Sequence, residues 1–65
     1  MGLIIKMAYK IKLQDKEYNV NYYPKIITDG KETKKYHVIE YHNITLIKES
    51  LEEVVNACKE KILGK

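Results

Sequence analysis

The chain has 65 residues and a formal net charge of +3, and this length limits it to one domain spanning residues 1–65. A domain this small buries only about 60% of the surface that its unfolded chain exposes, so a disulfide, a metal or a partner subunit usually adds stability. Cys58 is the only cysteine, which excludes an intrachain disulfide and a thiolate-based zinc site. We therefore predict no cofactor and no metal, and self-association becomes the leading source of added stability.

All twelve basic residues are lysines. Arginine provides the planar fork that binds phosphates and guanine edges, so its absence argues against sequence-specific recognition of nucleic acid. The apolar start at residues 1–5 is interrupted by Lys6 and is too short for the apolar core of a signal peptide. No apolar run approaches the roughly 20 residues of a membrane-spanning helix. We expect a cytoplasmic protein with no membrane partner.

The first part of the chain predicts a β-hairpin. Apolar and polar residues alternate over 3–13, which is the period-two pattern of a half-buried strand. A polar turn at 14–17 separates this run from a second alternating run at 18–23, as in two hairpin strands.

Pro24 follows this hairpin and is expected to interrupt its second strand, because proline cannot donate to a β-ladder. The strand could resume at 26–28. Asp29-Gly30 is a strong turn signal, since glycine tolerates a positive φ. We predict that the polar stretch 29–35 is a loop.

Two further strands are predicted at 36–41 and 44–48, with a tight turn at His42-Asn43. The alternative is a single long strand with a bulge near Asn43. Alternation is poor in this region, so either the sheet is covered on both faces here or a bulge exchanges the faces.

The end of the chain predicts an amphipathic helix. Ser50 and Glu53 form an S-x-x-E capping box, and Gly64 is a natural C-cap. One apolar stripe at spacings of three and four would pack on the sheet. Its members are Leu51, Val54, Val55, Cys58 and Ile62. The prediction is an α+β domain in which a four-stranded antiparallel sheet, three-stranded if the bulge is present, precedes one C-terminal helix on one face (β-β-β-β-α).

Candidate catalytic groups have simpler explanations. His37 and His42 point to opposite faces of a regular strand, so we interpret them as surface residues rather than metal ligands. Cys58 lies in the apolar stripe, where cysteine acts as a small hydrophobe. The acidic residues Glu49, Glu52 and Glu53 suit the positive end of the helix dipole. We therefore predict that the protein is not an enzyme.

Two surfaces are candidates for binding. The first is a lysine-rich sheet face with an aromatic residue, which could hold a nucleic-acid backbone and stack on a base. Its residues are Lys6, Lys10, Lys12, Asn19, Asn21 and Tyr23. The second is a surplus of apolar residues beyond what one helix can cover, a mark of a protein interface. Its residues are Ile26, Ile27, Ile39, Tyr41 and Ile47.

Residues 44–58, with Ser50-Leu51-Glu52-Glu53 at their centre, resemble the strand-to-helix passage of HicB-type antitoxin domains. The DNA-binding segment of that family has no counterpart in this chain. The plan of a lysine-rich hairpin, further strands and a terminal helix resembles small archaeal chromatin proteins, whose exposed tryptophan and arginines are lacking here. It is also similar to the arm-binding domains of phage integrases. No residue role is carried over from these families.

These features favour a small non-catalytic accessory protein that acts through protein–protein contacts, either with itself or with another protein. An inhibitor or adaptor of the phage or mobile-element type fits this description. The alternative is a non-specific nucleic-acid-binding protein that uses the lysine-rich sheet face.

Overall fold

The computed structural model describes residues 5–64 and confirms the predicted α+β architecture. Four strands form one antiparallel sheet in chain order. They are β1 (Met7–Leu13), β2 (Lys16–Asp29), β3 (Glu32–Tyr41) and β4 (Ile44–Lys48). The helix α1 (Leu51–Leu63) packs across one face of this sheet and contacts β1, β3 and β4. The first strand was expected from residue 3; residues 3 and 4 lie outside the described residues, and β1 begins at Met7.

Each strand is joined to the next by a two-residue turn. Gln14 and Asp15 both have positive φ (50° and 63°), as a type I′ turn requires. Gly30 has φ 64° at the first central position of its turn, the place where type II′ turns carry glycine. His42 has φ 53° in the third turn. The predicted tight turn at His42-Asn43 is confirmed, and β3 and β4 are separate strands.

The prediction of a loop at 29–35 is wrong. Strand β3 begins at Glu32, and Asp29 pairs with Glu32 across the Gly30 turn. Pro24 does not interrupt β2 either, since it pairs with His37 inside a continuous ladder. Proline is tolerated because the pairing of β2 with β1 ends at Tyr22, so Pro24 lacks a neighbouring strand on that side among residues 5–64.

The middle of the chain therefore forms a projecting β-hairpin, which we call the arm (residues 23–36). Within residues 5–64, β1 pairs with β2 as far as Tyr22, and β4 pairs with β3 from His37 onward. At about 3.3 Å per residue the 14 residues of β2 span about 46 Å. This length matches the 43 Å long axis of the molecule, against 22 and 18 Å for the others.

The main core lies between the helix and three strands. Its buried members are Ile11, Val20, Ile39, Val54 and Cys58. Successive residues of a strand point to opposite faces of the sheet, and the core residues of the strands all point to the face on which α1 packs. We call this the helix face. The other side, which includes Lys10, Asn19 and Tyr23, is the open face.

Strand β3 is buried on both faces at one place. Val38 and Ile39 are adjacent and both fully buried, although they point to opposite faces. The β3–β4 register runs without a break from His37 to Tyr41, so no bulge exchanges the faces. Val38 lies on the open face between Tyr23 and Ile47 of the neighbouring strands. Poor alternation in the sequence therefore reflects coverage on both sides.

The helix begins and ends where the sequence predicts. Ser50 is the N-cap, and its hydroxyl accepts a hydrogen bond from the Glu53 backbone N–H at 3.1 Å. Gly64 is the C-cap with φ 81°, and its N–H donates to the carbonyls of Glu60 and Lys61. Leu51 departs from the predicted stripe, because it is exposed at the first position of the helix.

Candidate binding surfaces

The five residues of the predicted protein interface divide between core and surface. Ile39 is fully buried under the helix, and half-buried Tyr41 packs against the same core. The alternation of β3 directs both toward the helix face, so neither belongs to an exposed apolar surplus. The structure thus narrows the candidate interface to Ile26, Ile27 and Ile47.

These three isoleucines lie on two faces of the sheet. Ile26 is 67% exposed and Ile27 is 39% exposed, on opposite sides of the arm. Ile47 is 42% exposed on the open face of β4, where it pairs with buried Val38. The most exposed of the three side chains, that of Ile26, is therefore on the arm, which α1 does not contact.

A charged cluster lies on the open face at the base of the arm. Lys6 Nζ is 2.9 Å from Glu40 Oε1 and 5.7 Å from the ring centroid of Tyr23. The Tyr23 hydroxyl also donates to Glu40 Oε2 at 3.4 Å. The hydrogen bond and the negative charge of Glu40 raise the pKa of Lys6 above its usual 10.5. Lys6 thus forms an exposed intramolecular ion pair with Glu40.

The lysine-rich face predicted from the sequence is assembled by the β1–β2 ladder. Lys10 lies opposite Asn19, and Ala8 lies opposite Asn21, all on the open face. Lys12 lies opposite Glu17. The face therefore carries carboxylates beside its lysines: Glu17 lies opposite Lys12 in the ladder, and Glu40 forms an ion pair with Lys6. Its positive charge is smaller than the sequence suggests.

Besides the contacts of Glu40, the sequence analysis missed a polar contact between Tyr22 and His37. The Tyr22 hydroxyl lies 2.6 Å from Nδ1 of His37, and the two rings stack with centroids 5.8 Å apart. His37 is thus a half-buried residue with a partner rather than a surface histidine. The pair lies where β1 and β4 both end, so it joins β2 to β3 at the base of the arm. Tyr22 and His37 are diagonal neighbours in the β2–β3 ladder. The sequence alone could not reveal this contact, because it depends on the register of the two strands.

Cys58 and the three glutamates at the start of the helix occupy structural positions. Cys58 is fully buried in the main core, and this burial raises the pKa of its thiol, which disfavours the thiolate. Glu49 lies 3.7 Å from Lys34 in an exposed ion pair, and Glu52 and Glu53 stand in the first turn of α1. Within residues 5–64 no group of three or more His, Cys, Asp or Glu side chains could hold a metal ion.

The open face of the arm carries a shallow depression of about 180 Å³. It is lined by Ile27, Asp29, Glu32, Lys34 and Tyr36. Ile27 forms its apolar part, and charges of both signs surround it. This mixture suits the edge of a protein contact better than a site for a small apolar ligand.

Comparisons with models of protein families, with curated proteins and with solved structures find no match to this chain. No helix within residues 5–64 has the length and apolar character needed to cross a bilayer.

Proposed function

We propose that this protein is a small non-catalytic binding protein that acts through protein–protein contacts, and that its arm is the surface through which it associates with a second copy. The observation that carries this proposal is the position of Ile26, the most exposed of the candidate interface residues, on a hairpin that projects from the core. An adaptor or inhibitor would act through such a contact surface.

The energetics of the arm support the same function. Every residue from 24 to 35 is exposed, and a two-stranded hairpin alone is marginally stable in water at best. Contact with another chain would bury apolar surface on the arm and add backbone hydrogen bonds along its edges. A long hairpin that has no core of its own would gain stability from a partner that covers it.

The placement of the reactive groups supports a role without catalysis. A cysteine nucleophile needs exposure and a base that lowers its pKa, whereas Cys58 is buried and its pKa is raised. The carboxylate of Glu40 is held by Lys6 and Tyr23. Cys58 therefore contributes to core packing, and Glu40 contributes to an ion pair and a hydrogen bond.

Analytical ultracentrifugation over a range of protein concentrations tests the proposed self-association. We expect a monomer–dimer equilibrium in the wild type and a loss of dimer in Ile26→Lys. Ile47→Lys is the matched control, because Ile47 is also an exposed isoleucine of the sheet but lies outside the arm. A wild-type protein that stays monomeric at every concentration would contradict the proposal.

Non-specific binding of nucleic acid is the second candidate. It is favoured by the placement of Lys10, Asn19 and Asn21 together on the face that the helix leaves uncovered. A titration of labelled single- and double-stranded DNA at low and high salt tests it, because binding through phosphates weakens steeply with salt. Lys10→Glu should then weaken binding and reduce its salt dependence, and Lys61→Glu, at an exposed position of the helix, should change it less.

A further inference from the structure

The turns establish which backbone groups of the arm face outward. In a two-residue hairpin the residues that flank the turn exchange backbone hydrogen bonds, and bonded pairs then alternate along the ladder. Asp29 flanks the Gly30 turn, so Asp29, Ile27 and Lys25 bond to β3. Lys16 flanks the first turn, so even-numbered residues of β2 direct their N–H and C=O groups toward the β1 side. The two turns give the same assignment independently.

In the arm, this alternation leaves the backbone groups of Ile26 and Thr28 on an edge that no strand within residues 5–64 covers. Pro24 faces the same edge but has no N–H to offer. The edge therefore presents two donors and two acceptors from Ile26 and Thr28, with Ile27 between them. A strand edge that is left open within the described part of the chain is a template for pairing with another chain.

The other exposed edges carry lysines that discourage such pairing. The outward-facing positions of β1 include Lys10 and Lys12, and the β3 edge of the arm includes the consecutive Lys34 and Lys35. Lysines on an edge strand oppose edge-to-edge association. The β2 edge is different, since its central residues 26–28 are uncharged and charges of opposite sign, Lys25 and Asp29, flank them.

We propose that a second copy of this chain pairs antiparallel with the β2 edge of the arm, with Ile27 opposite Ile27 of the second copy on a two-fold axis. Ile26 then exchanges two backbone hydrogen bonds with Thr28 of the second copy, and symmetry repeats them, which uses all four groups and none of Pro24. In the same register Lys25 lies opposite Asp29 of the second copy, twice. A two-fold interface requires such self-complementarity.

This pairing rests on the proposed self-association and specifies where it occurs. It joins the arms alone, so the buried area falls at the small end of protein interfaces. The dimer should accordingly be in equilibrium with the monomer rather than permanent.

Two proline variants test the hydrogen bonds. Thr28 and Thr33 pair with each other across the arm, both are exposed, and their hydroxyls lie 3.3 Å apart. Thr28→Pro removes an N–H from the β2 edge, and Thr33→Pro removes one from the opposite edge.

Because two of the four intermolecular bonds disappear, Thr28→Pro should weaken the dimer about tenfold or more in sedimentation equilibrium. Thr33→Pro should leave the dimerisation constant within about twofold of the wild type, and circular dichroism should show that both variants fold.

A charge exchange tests the register without disturbing the backbone. K25E and D29K each place like charges opposite one another in the dimer, so each should weaken it about tenfold. The double variant K25E/D29K restores both pairs and should recover most of the wild-type affinity. Equal weakening by Thr28→Pro and Thr33→Pro, or no recovery in the double variant, would overturn the register while leaving self-association intact. A strictly monomeric wild type would overturn both proposals.

Discussion

At the scale of single residues, burial separates isoleucines that look equivalent in the sequence. Ile39 is fully buried in the main core, and Ile26 is 67% exposed on the arm. Both occur in β-branched, strand-forming segments, and the sequence analysis placed both in one interface. Their difference comes from the extent of the helix, which covers the sheet near Ile39 and does not reach the arm.

Truncation of these two residues should therefore affect the free energy of unfolding to very different extents. We expect Ile39→Ala to lower the free energy of unfolding by about 2–5 kcal/mol, because it removes buried methyl groups and leaves a cavity. Ile26→Ala should change the stability of the monomer by less than about 0.5 kcal/mol. Urea denaturation at a low protein concentration measures both values. Similar losses in the two variants would contradict the placement of Ile39 in the core.

The ion pair of Lys6 with Glu40 has a consequence for pH. Because the pKa of Lys6 is raised in the folded protein, its contribution to stability is present below the unfolded pKa and is lost as pH rises through the folded pKa. This window lies above about pH 10.5.

We expect Glu40→Gln to shift the pKa of Lys6 back toward its ordinary value, since it removes the negative charge and weakens the hydrogen bond. A titration of the Lys6 side-chain resonances by NMR would show the change. A Lys6 midpoint that does not move would exclude the ion pair in solution.

At the scale of elements, the Gly30 turn determines how the arm is closed. Gly30 has φ 64°, and a Cβ atom added there would meet no other atom within 4 Å. Any cost of a side chain at this position therefore comes from the backbone conformation alone.

We expect Gly30→Ala to destabilise the arm by about 1–2 kcal/mol, because an L-residue disfavours positive φ. Chemical synthesis with D-alanine at the same position provides the control, since its φ preference is mirrored and should leave the arm as stable as the wild type. Amide hydrogen exchange along residues 25–36 measures the effect locally. Equal exchange rates in the L- and D-alanine proteins would contradict the positive φ.

The elements also show what the sequence could reveal. The helix was predictable because Ser50, Glu53 and Gly64 are local signals that act within one or two turns. The extension of β3 to Glu32 was not, because both faces of the arm meet water and its residues need no apolar alternation. Thr33, Lys34 and Lys35 consequently have the composition of a loop while forming a ladder. The contact of Tyr22 with His37 was hidden for a related reason, since it depends on the register across that ladder.

At the scale of the whole molecule, the described residues form a small core and a long hairpin that neither α1 nor a further strand of residues 5–64 covers. Strands β2 and β3 extend beyond their neighbours, so the helix stabilises one end of the 43 Å molecule and leaves the other to its own turn and ladder. The arm, which is the proposed binding surface, is thus also the part of the molecule most distant from the core. This separation allows binding at the arm without disturbing the packing under the helix.

Dimerisation through the arm should therefore appear as a dependence of thermal stability on protein concentration. Only the folded arm can pair, so mass action favours the folded state as concentration rises. For a domain of this size about 1 kcal/mol corresponds to roughly 4–8 °C, and a hundredfold increase in concentration should raise the midpoint of unfolding by several degrees. K25E, with its roughly tenfold weaker dimer, should show the same rise only at about tenfold higher concentration. Thr33→Pro, whose altered edge faces away from the dimer, should keep the wild-type slope from a lower starting value. Calorimetry over this concentration range measures the slopes, and a wild-type midpoint independent of concentration would show that the arm does not pair with a second copy.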